Sequence, residues 1–249
     1  MTPANPPLRW RALSLPKEGY GDDECEDAWA ADPAAGRFAV ADGASESLFA
    51  GLWARLLAEA FVAARLPDDV TGWLKGPRRR WSEEVMGLEL PWYAEMKREQ
   101  GAFATFLGLD LRPPAGNQPG SWQAVAVGDT CLVRVRRPRH FQSFPVRKAA
   151  DFGDRPPLIG TGAGAPRCQR CSGSFRRGDR FFLMTDALAQ WFLGACERGG
   201  RPWKALAAVL SAPRPREAFA EWVEGLRGSA ALRDDDVTLL MIDARLPKE

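Results

Sequence analysis

The chain has 249 residues, 45% of them hydrophobic and 27% charged, and a formal net charge of +2. This composition is that of a globular protein, and the length permits a sizeable core in one large domain or two small ones. The small net charge gives no support to nucleic-acid binding, and no apolar run reaches the roughly 18 residues that a membrane helix needs.

The N-terminal residues and the cysteines both bear on the cellular compartment. The start of the chain, M-T-P-A-N-P-P, has neither a basic segment nor a hydrophobic one, so we expect no secretion signal. Five cysteines, an odd number scattered along the chain, are typical of reduced thiols. We therefore expect a cytoplasmic protein.

Three short strands are predicted near the start of the chain. Apolar residues alternate at 8–15, and a second strand is predicted at 28–30, after the acidic stretch 22–27. At 38–42, F-A-V-A-D, the pattern suits a strand that is buried on both faces. On its own, the Asp-Gly pair that ends this strand is more typical of a turn than of an ion-binding site.

A helical region follows from Ser45. Apolar pairs recur every four residues up to residue 64, which gives a helix one apolar stripe. Ser45 or Ser47 is expected to cap its first turn, and Pro67 to end it. A second helical region is predicted at 81–100, interrupted by one glycine and one proline.

The rest of the chain returns to strands and then alternates with helices. Strands are predicted at 103–111, 122–127, 131–136, 181–185 and 237–242. Helices are predicted at 188–196, 203–210 and 217–226. Residues 138–174 have little periodicity and several prolines and glycines, so they are predicted to form one long functional or mobile loop.

The order of these elements indicates the fold class. Strands, helices, strands, helices and a final strand do not follow the regular alternation that is typical of a parallel α/β sheet. The sequence therefore predicts an α+β protein with antiparallel sheets and with helices packed outside them.

Acidic residues recur at the ends of the predicted strands. Asp42 and Asp186 each follow a buried strand, and Asp235 lies before the last strand. Asp129 lies in a turn between two strands, and Glu26 and Asp27 precede an early strand. If they meet at one edge of a sandwich, a cation must offset their repulsion, and oxygen ligands favour Mg²⁺ or Mn²⁺ over zinc. The alternative is a set of separately solvated turns and helix caps.

Six motifs occur in an order that matches one enzyme family. They are C-E-D-A at 25–28, F-A-V-A-D-G at 38–43, G-A-F-A-T-F-L at 101–107, V-G-D-T at 127–130, M-T-D-A at 184–187 and D-D-V-T at 235–238. With these motifs the chain resembles the metal-dependent protein phosphatases of the protein phosphatase 2C (PPM) family, as a divergent member of the bacterial type. The resemblance implies a single domain over residues 1–249, with a four-layer α/β/β/α fold in which helices flank a central antiparallel β-sandwich.

The resemblance also implies two divalent ions, Mn²⁺ or Mg²⁺, and a third ion that binds more weakly. Asp42 would bridge the first two ions, and the carbonyl group of Gly43 would bind one of them. Asp186 and Asp235 would complete the coordination of the first ion. Asp129 would help Asp186 to bind the third ion.

The remaining acidic residues and the reaction follow from the same resemblance. Glu26 and Asp27 would hold metal-bound waters. A hydroxide that bridges the two ions would attack the phosphorus of phosphoserine, phosphothreonine or a small phosphomonoester. Asp42, Asp186 and Asp235 would be the catalytic residues, through the ions that they hold. The expected partners are a phosphorylated protein and a cognate Ser/Thr kinase, with no nucleic acid and no membrane.

The chain departs from the family at the phosphate-binding position. Bacterial members usually carry an arginine four residues before the position of Glu26, where this chain has Asp22, and Cys25 replaces a usual asparagine. The change removes a guanidinium that binds phosphate in a bidentate manner. One hypothesis is that Arg37 or a later arginine binds the phosphate in its place. The alternative function is a catalytically weak or inactive relative that binds phosphoproteins or regulates a kinase.

Three further motifs are open to a functional or a structural interpretation. Cys168 and Cys171 form one C-x-x-C pair, which is compatible with a plain loop, a disulfide or half of a shared metal site. His140, the single histidine, lies in the basic stretch 134–140, for which a solvated loop is favoured over a general acid or a docking site for acidic partners. The glycine-rich segment 160–164 lacks the lysine of a phosphate-binding loop and is interpreted as a flexible connection.

Overall fold

Eleven strands and six helices form the regular structure of the residues that the computed structural model describes, which are 8–64, 69–113, 119–136, 141–153 and 155–244. The strands are β1 (Arg9–Leu15), β2 (Asp27–Asp32), β3 (Arg37–Gly43), β4 (Phe103–Arg112), β5 (Gly120–Val127), β6 (Cys131–Val135), β7 (Phe141–Phe144), β8 (Ile159–Gly160), β9 (Gln169–Phe175), β10 (Arg180–Met184) and β11 (Val237–Asp243). The helices are α1 (Ala50–Ala63), α2 (Val70–Met86), α3 (Trp92–Gln100), α4 (Asp186–Glu197), α5 (Pro202–Leu210) and α6 (Pro215–Gly228). None of these helices combines the length and the apolar character that a membrane crossing requires.

The strands form two antiparallel sheets. The order is β1-β11-β10-β6-β7 in the first sheet and β2-β3-β4-β5-β9 in the second, where β8 also pairs with β4. The sheets share a core that includes Phe38, Trp122, Phe181 and Ile242. Helices α1 and α2 pack on the other face of the second sheet, and α4, α5 and α6 on the other face of the first. The predicted α+β fold, an antiparallel sandwich with helices on both sides, is confirmed.

The central strand β3 is buried on both faces, as its sequence predicts. Phe38 and Val40 belong to the core between the sheets, whereas the alanines that alternate with them belong to the core beneath α1. A side chain at Gly43 would lie within 2.7 Å of the backbone of Ala50, so α1 approaches the end of β3 closely. This packing fixes the position of the end of β3, where Asp42 lies.

Helix α1 begins at Ala50, later than the predicted start at Ser45, and no side chain caps it. The residue before it, Phe49, has a left-handed backbone conformation with φ of 60°. The hydroxyl of Ser47 instead accepts a hydrogen bond from the backbone N–H of Phe103, at 3.1 Å. The predicted serine cap is wrong because Ser47 joins the segment after β3 to the start of β4.

Helix α2 extends further toward the N-terminus than the sequence predicts. It begins at Val70 and includes Pro77, although an internal proline costs a helix about 3 kcal/mol. Burial of one apolar stripe offsets this cost, and its residues are Leu74, Trp81 and Val85. Pro67, which was expected to end α1, lies outside the described residues.

Stretch 138–174, predicted as one long loop, contains three strands in its described part. β7 pairs with β6, β8 with β4, and β9 with β5. β8 has only two residues, and β9 is an edge strand with mostly exposed or half-buried residues. Such strands need no apolar alternation, so the sequence pattern does not reveal them. The prediction of a single loop is wrong.

The two cysteines of the C-x-x-C pair pack against different cores. Cys168 contacts the core beneath α1, and Cys171, in β9, contacts the core between the sheets. Both thiols are free. Because they lie on opposite faces of the second sheet, they do not form the disulfide or the half metal site that their spacing permits.

The glycine-rich segment 160–164 is anchored to α2. The guanidinium of Arg78 donates to the carbonyl oxygens of Gly160, at 3.1 Å, and of Gly164, at 2.7 Å. Arg78 is therefore half-buried and occupied by backbone contacts. His140 and the rest of 137–140 lie outside the described residues.

Candidate active site

Two aspartates from neighbouring strands lie opposite each other at one end of the second sheet. Asp42, near the end of β3, is the register partner of Asp27, the first residue of β2. On its other side Asp42 lies opposite Thr105 of β4. Opposed residues of an antiparallel pair project from the same face, so the two carboxylates are neighbours that repel each other.

The first sheet contributes two more aspartates to the same region. Asp186 is the first residue of α4, separated from β10 by Thr185, and Asp235 lies two residues before β11. One guanidinium nitrogen, Nη2 of Arg233, donates to Oδ2 of Asp186 and to Oδ2 of Asp235, the latter at 2.9 Å. The charges of both aspartates act on Asp42. Carboxylates from the two sheets therefore converge at one end of the sandwich.

Burial and mutual repulsion raise the pKa values of this cluster. The pKa of Asp42 lies well above its usual range because the carboxyl group is buried and four other aspartates lie close to it. Burial and the charge of Asp186 raise the pKa of Asp129 to about 7, although Arg233 partly opposes this effect. Burial also raises the pKa of Asp186. Without a cation, the fold disfavours the charged form of these residues.

Asp27 is oriented by a threonine of the other sheet. Thr185 Oγ1 donates to Asp27 Oδ2 at 2.9 Å and accepts a hydrogen bond from the backbone N–H of Thr238, also at 2.9 Å. Burial and then the charge of Asp236 raise the pKa of Asp27 well above its usual range. The second oxygen, Oδ1, is buried and has no hydrogen-bond partner.

Glu26 lies beside a lysine and a serine. Its Oε2 accepts a hydrogen bond from Ser45 Oγ and lies 3.5 Å from Lys17 Nζ. Asp236 accepts hydrogen bonds from the backbone N–H groups of Lys17, at 2.8 Å, and of Glu26, at 2.7 Å. The carboxylate of Asp236 thus ties both segments to the start of β11.

The donors of the cluster fit a hard divalent cation. All are oxygens, and Oδ1 of Asp27 and Oδ1 of Asp129 are buried without a hydrogen-bond partner. Buried carboxylate oxygens are costly unless they are paired or bind a metal, and oxygen donors suit Mg²⁺ or Mn²⁺. Within the described ranges no three acidic, histidine or cysteine side chains are positioned to hold one ion together. The guanidinium of Arg233 lies between Asp186 and Asp235 instead.

Comparison with known proteins reveals similarity at the level of structure. No protein-family model and no curated protein matches the chain. PppA, a key regulatory component of T6SS in Pseudomonas aeruginosa, is 19% identical over 96% of this chain and 100% of that one, with a TM-score of 0.58. The catalytic domain of the serine threonine protein phosphatase PstP, in complex with 2 manganese ions, is 19% identical over 96% and 99%, with a TM-score of 0.59. The PPM Ser-Thr phosphatase MsPP from Mycobacterium smegmatis, in complex with cacodylate, is 18% identical over 94% and 97%, with a TM-score of 0.55. The chain has the PPM phosphatase fold.

The PPM fold confirms the resemblance that the six sequence motifs indicate. The likeness extends over at least 94% of this chain in each of the three comparisons. At these identities it establishes the fold, whereas the assignment of Asp42, Asp186 and Asp235 as metal ligands stays a prediction.

The contacts of Asp22 and Arg37 bear on the arginine that this chain lacks. Asp22 forms an exposed ion pair with Arg216 of α6. Arg37, at the start of β3, forms an ion pair with Asp32 at 3.6 Å. This pair lies at the opposite end of the strand from Asp42, so the hypothesis that Arg37 replaces the missing arginine is wrong.

Three residues near the cluster escape the sequence reasoning, and they are Lys17, Arg233 and Asp236. The run of three aspartates before β11 was the available signal for Asp236, since only one of them was assigned to the metal. Nothing in the sequence around the lysine or the arginine distinguishes them from surface cations, because their role depends on which segments meet in the fold.

Proposed function

We propose that the chain is a metal-dependent phosphatase that hydrolyses phosphoserine or phosphothreonine in proteins. The observation that supports this proposal is the convergence of aspartates from strand ends of both sheets into one partly buried cluster. A cluster of this kind is stable near neutral pH only with a cation, and a PPM fold with oxygen donors is suited to Mn²⁺ or Mg²⁺.

Five residues are proposed to hold the ions. Asp42 and the carbonyl group of Gly43 lie at the end of β3, and Asp186 and Asp235 approach from the first sheet. Asp129, whose Oδ1 has no partner, is proposed to serve a third ion. When bound, the ions supply positive charge that acidifies a water and stabilises the phosphoryl group during its transfer.

The chain's own residues orient the groups around this site. Thr185 holds one oxygen of Asp27, so that the other oxygen can accept a hydrogen bond from a water. Asp236 fixes the backbone of Glu26, and Ser45 fixes its carboxylate. Glu26 and Asp27 are therefore proposed to orient waters rather than to contact the substrate.

Lys17 is proposed to bind the substrate's phosphoryl group in place of the family arginine. Its ammonium group lies at 3.5 Å from Glu26 and 3.4 Å from Ser45 Oγ, next to the acidic cluster. A cleft of about 430 Å³, lined by 23–28, 49–52 and Arg55, opens on the side of Glu26. Lys17 itself lines a separate cavity of about 390 Å³, formed by 15–20, Glu224, Arg227 and Gly228.

Replacing Lys17 with methionine is expected to raise the KM for a phosphomonoester by roughly tenfold or more, with a smaller effect on kcat. The reason is that a hydrogen bond to a charged group contributes about 1.5–3 kcal/mol. Steady-state kinetics with manganese test this result. Lys204→Met, on the exposed face of α5, is the matched control. An unchanged KM in K17M together with a reduced kcat would assign Lys17 to the support of Glu26 alone.

A pseudophosphatase is the second candidate. It is favoured by Arg233, whose guanidinium contacts both Asp186 and Asp235, and by Asp22 at the position of the family arginine. Such a protein would bind phosphoproteins, or regulate the cognate kinase, without turnover. In both cases we propose a cytoplasmic protein, which is supported by the free thiols of all five cysteines.

The deciding experiment is the hydrolysis of p-nitrophenyl phosphate and of a phosphothreonine peptide with and without Mn²⁺. We expect a rate that rises with Mn²⁺ and disappears with EDTA. Peptide binding without any metal-stimulated rate would establish the pseudophosphatase instead. Steeply salt-dependent binding of an oligonucleotide, without either result, would contradict both proposals.

A further inference from the structure

We propose that Arg233 is an internal counterion that competes with divalent ions for Asp186 and Asp235. This inference rests on the metal site of the proposed function. It adds that the chain carries its own cation for that site, and that the affinity for the ion depends on how easily this cation leaves.

The contacts of Arg233 are those of a counterion. Its Nη2 donates to one oxygen of Asp186 and to one oxygen of Asp235, and it thereby joins the start of α4 to the segment before β11. A guanidinium keeps its charge at any pH at which the protein is folded. Its charge also acts on Asp129, whose carboxyl group lies close to the same two aspartates. Three acidic residues therefore share one positive charge.

The same two carboxylates are the ones that an ion would need. A carboxylate oxygen that accepts a hydrogen bond from a guanidinium is poorly available to a metal ion, and a divalent ion would repel the guanidinium at this distance. Metal binding and the two Arg233 contacts therefore compete for the same carboxylates. Breaking the ion pairs of Arg233 costs free energy, and this cost lowers the affinity of the site for the metal ion.

Arg233 can leave the cluster at low cost. Its side chain is 44% exposed, whereas the side chain of Asp186 is only 17% exposed. The guanidinium can therefore move into solvent without passing through the core. Among the described contacts of Arg233, both hydrogen bonds go to the cluster, so no further bond is lost when it moves.

A second arginine of the same region keeps the backbone in position during this exchange. Arg227 of α6 is nearly buried, with a side chain that is 9% exposed. It donates to the carbonyl oxygen of Pro16 at 3.0 Å and to that of Asp235 at 2.5 Å. Because these contacts involve backbone oxygens, they persist whether Asp235 binds Arg233 or an ion. Arg227 is thus structural, and Arg233 is the exchangeable cation.

The test is a calorimetric titration of the metal-free protein with Mn²⁺. Arg233→Gln is expected to lower the Kd for Mn²⁺ by roughly tenfold, because the competing pairs are absent. Arg233→Lys keeps the charge but not the forked donors, so we expect a smaller decrease. The matched control is Arg214→Gln, which removes the same charge from an exposed arginine that pairs with Glu217 on the surface of α6, and its Kd should not change.

Thermal unfolding in EDTA gives a readout that is independent of binding and of activity. R233Q should melt below the wild type without metal, since the aspartates lose their cation, and the difference should shrink at saturating Mn²⁺. Equal Mn²⁺ affinity of R233Q, R233K and R214Q would overturn the inference while leaving the phosphatase proposal intact. Absence of Mn²⁺ binding in the wild type and in all variants would overturn both.

Discussion

Replacing Asp42 with asparagine is expected to reduce metal-dependent turnover on the order of a thousandfold and to stabilise the metal-free protein. Turnover falls because Asp42 is the residue proposed to contact both ions. Stability rises because asparagine has nearly the same shape and removes a charge that burial and the neighbouring aspartates disfavour, as the raised pKa of Asp42 indicates. An increase in stability together with a loss of activity is characteristic of a residue that is kept for function.

The measurements are steady-state hydrolysis with Mn²⁺ and thermal unfolding in EDTA. The control is Asp32→Asn at the other end of β2, where the carboxylate is 38% exposed and pairs with Arg37. D32N should keep wild-type turnover. A D42N protein that turns over normally would rule out this metal site, and one that is less stable than the wild type in EDTA would show that the repulsion at Asp42 is not significant.

The metal-free protein is expected to be more stable at about pH 5.5 than at about pH 8. For an acid whose pKa is raised by folding, the folded state binds more protons than the unfolded state between the two pKa values, so stability decreases as the pH rises. The pKa of Asp129 is an ordinary 3.8 in the unfolded chain and about 7 in the folded one. Each pKa unit corresponds to about 1.4 kcal/mol, so Asp129 alone accounts for roughly 2 kcal/mol of destabilisation between pH 5.5 and pH 8.

Added Mn²⁺ should reverse this loss at pH 8. An ion that binds only the folded state stabilises it by about 2.7 kcal/mol at a concentration of a hundred times its Kd. Urea unfolding at both pH values, with EDTA or with Mn²⁺, measures the two effects, and Asp129→Asn should reduce the pH dependence in EDTA. A metal-free protein whose stability increases from pH 5.5 to pH 8 would contradict the repulsion on which the site is built.

The sequence predicts those parts of the fold in which one residue pattern determines one structure. β3 alternates large and small apolar residues because one face meets the other sheet and the other face meets α1. The apolar stripe of α1 is equally easy to predict from its four-residue repeat. Polar edge strands such as β9 have no such pattern, because pairing with β5 rather than burial holds them.

Local signals were misleading where tertiary contacts outweigh them. The sequence predicts this helix only from residue 81, but α2 begins at Val70 and runs through Pro77, because Leu74, Trp81 and Val85 pack in the core beneath it. Ser47 has the chemistry of a helix cap and is used by the backbone of Phe103 instead.

The acidic members of the candidate site were predictable, and the cations were not. These acidic residues form a recognisable set because each lies at, or next to, one end of a predicted strand. Arg233 has no such context, and its contact with Asp186 joins residues 47 positions apart in sequence. The tie between Asp236 and Lys17 spans 219 positions. Contacts of this range depend on the assembled sheets, so the sequence pattern contains no trace of them.

The pairing of the first strand of the chain with the last one has a mechanical consequence. Arg9 lies opposite Asp243, so the described chain begins and finishes at one corner of the first sheet. Tension that draws these two points apart acts along the hydrogen bonds of an antiparallel ladder, which therefore break one after another rather than together. The rupture would travel along β1 toward Leu15 and Val237 and arrive at the Lys17–Asp236 hydrogen bond, so that a pull at this corner would be transmitted to the candidate site.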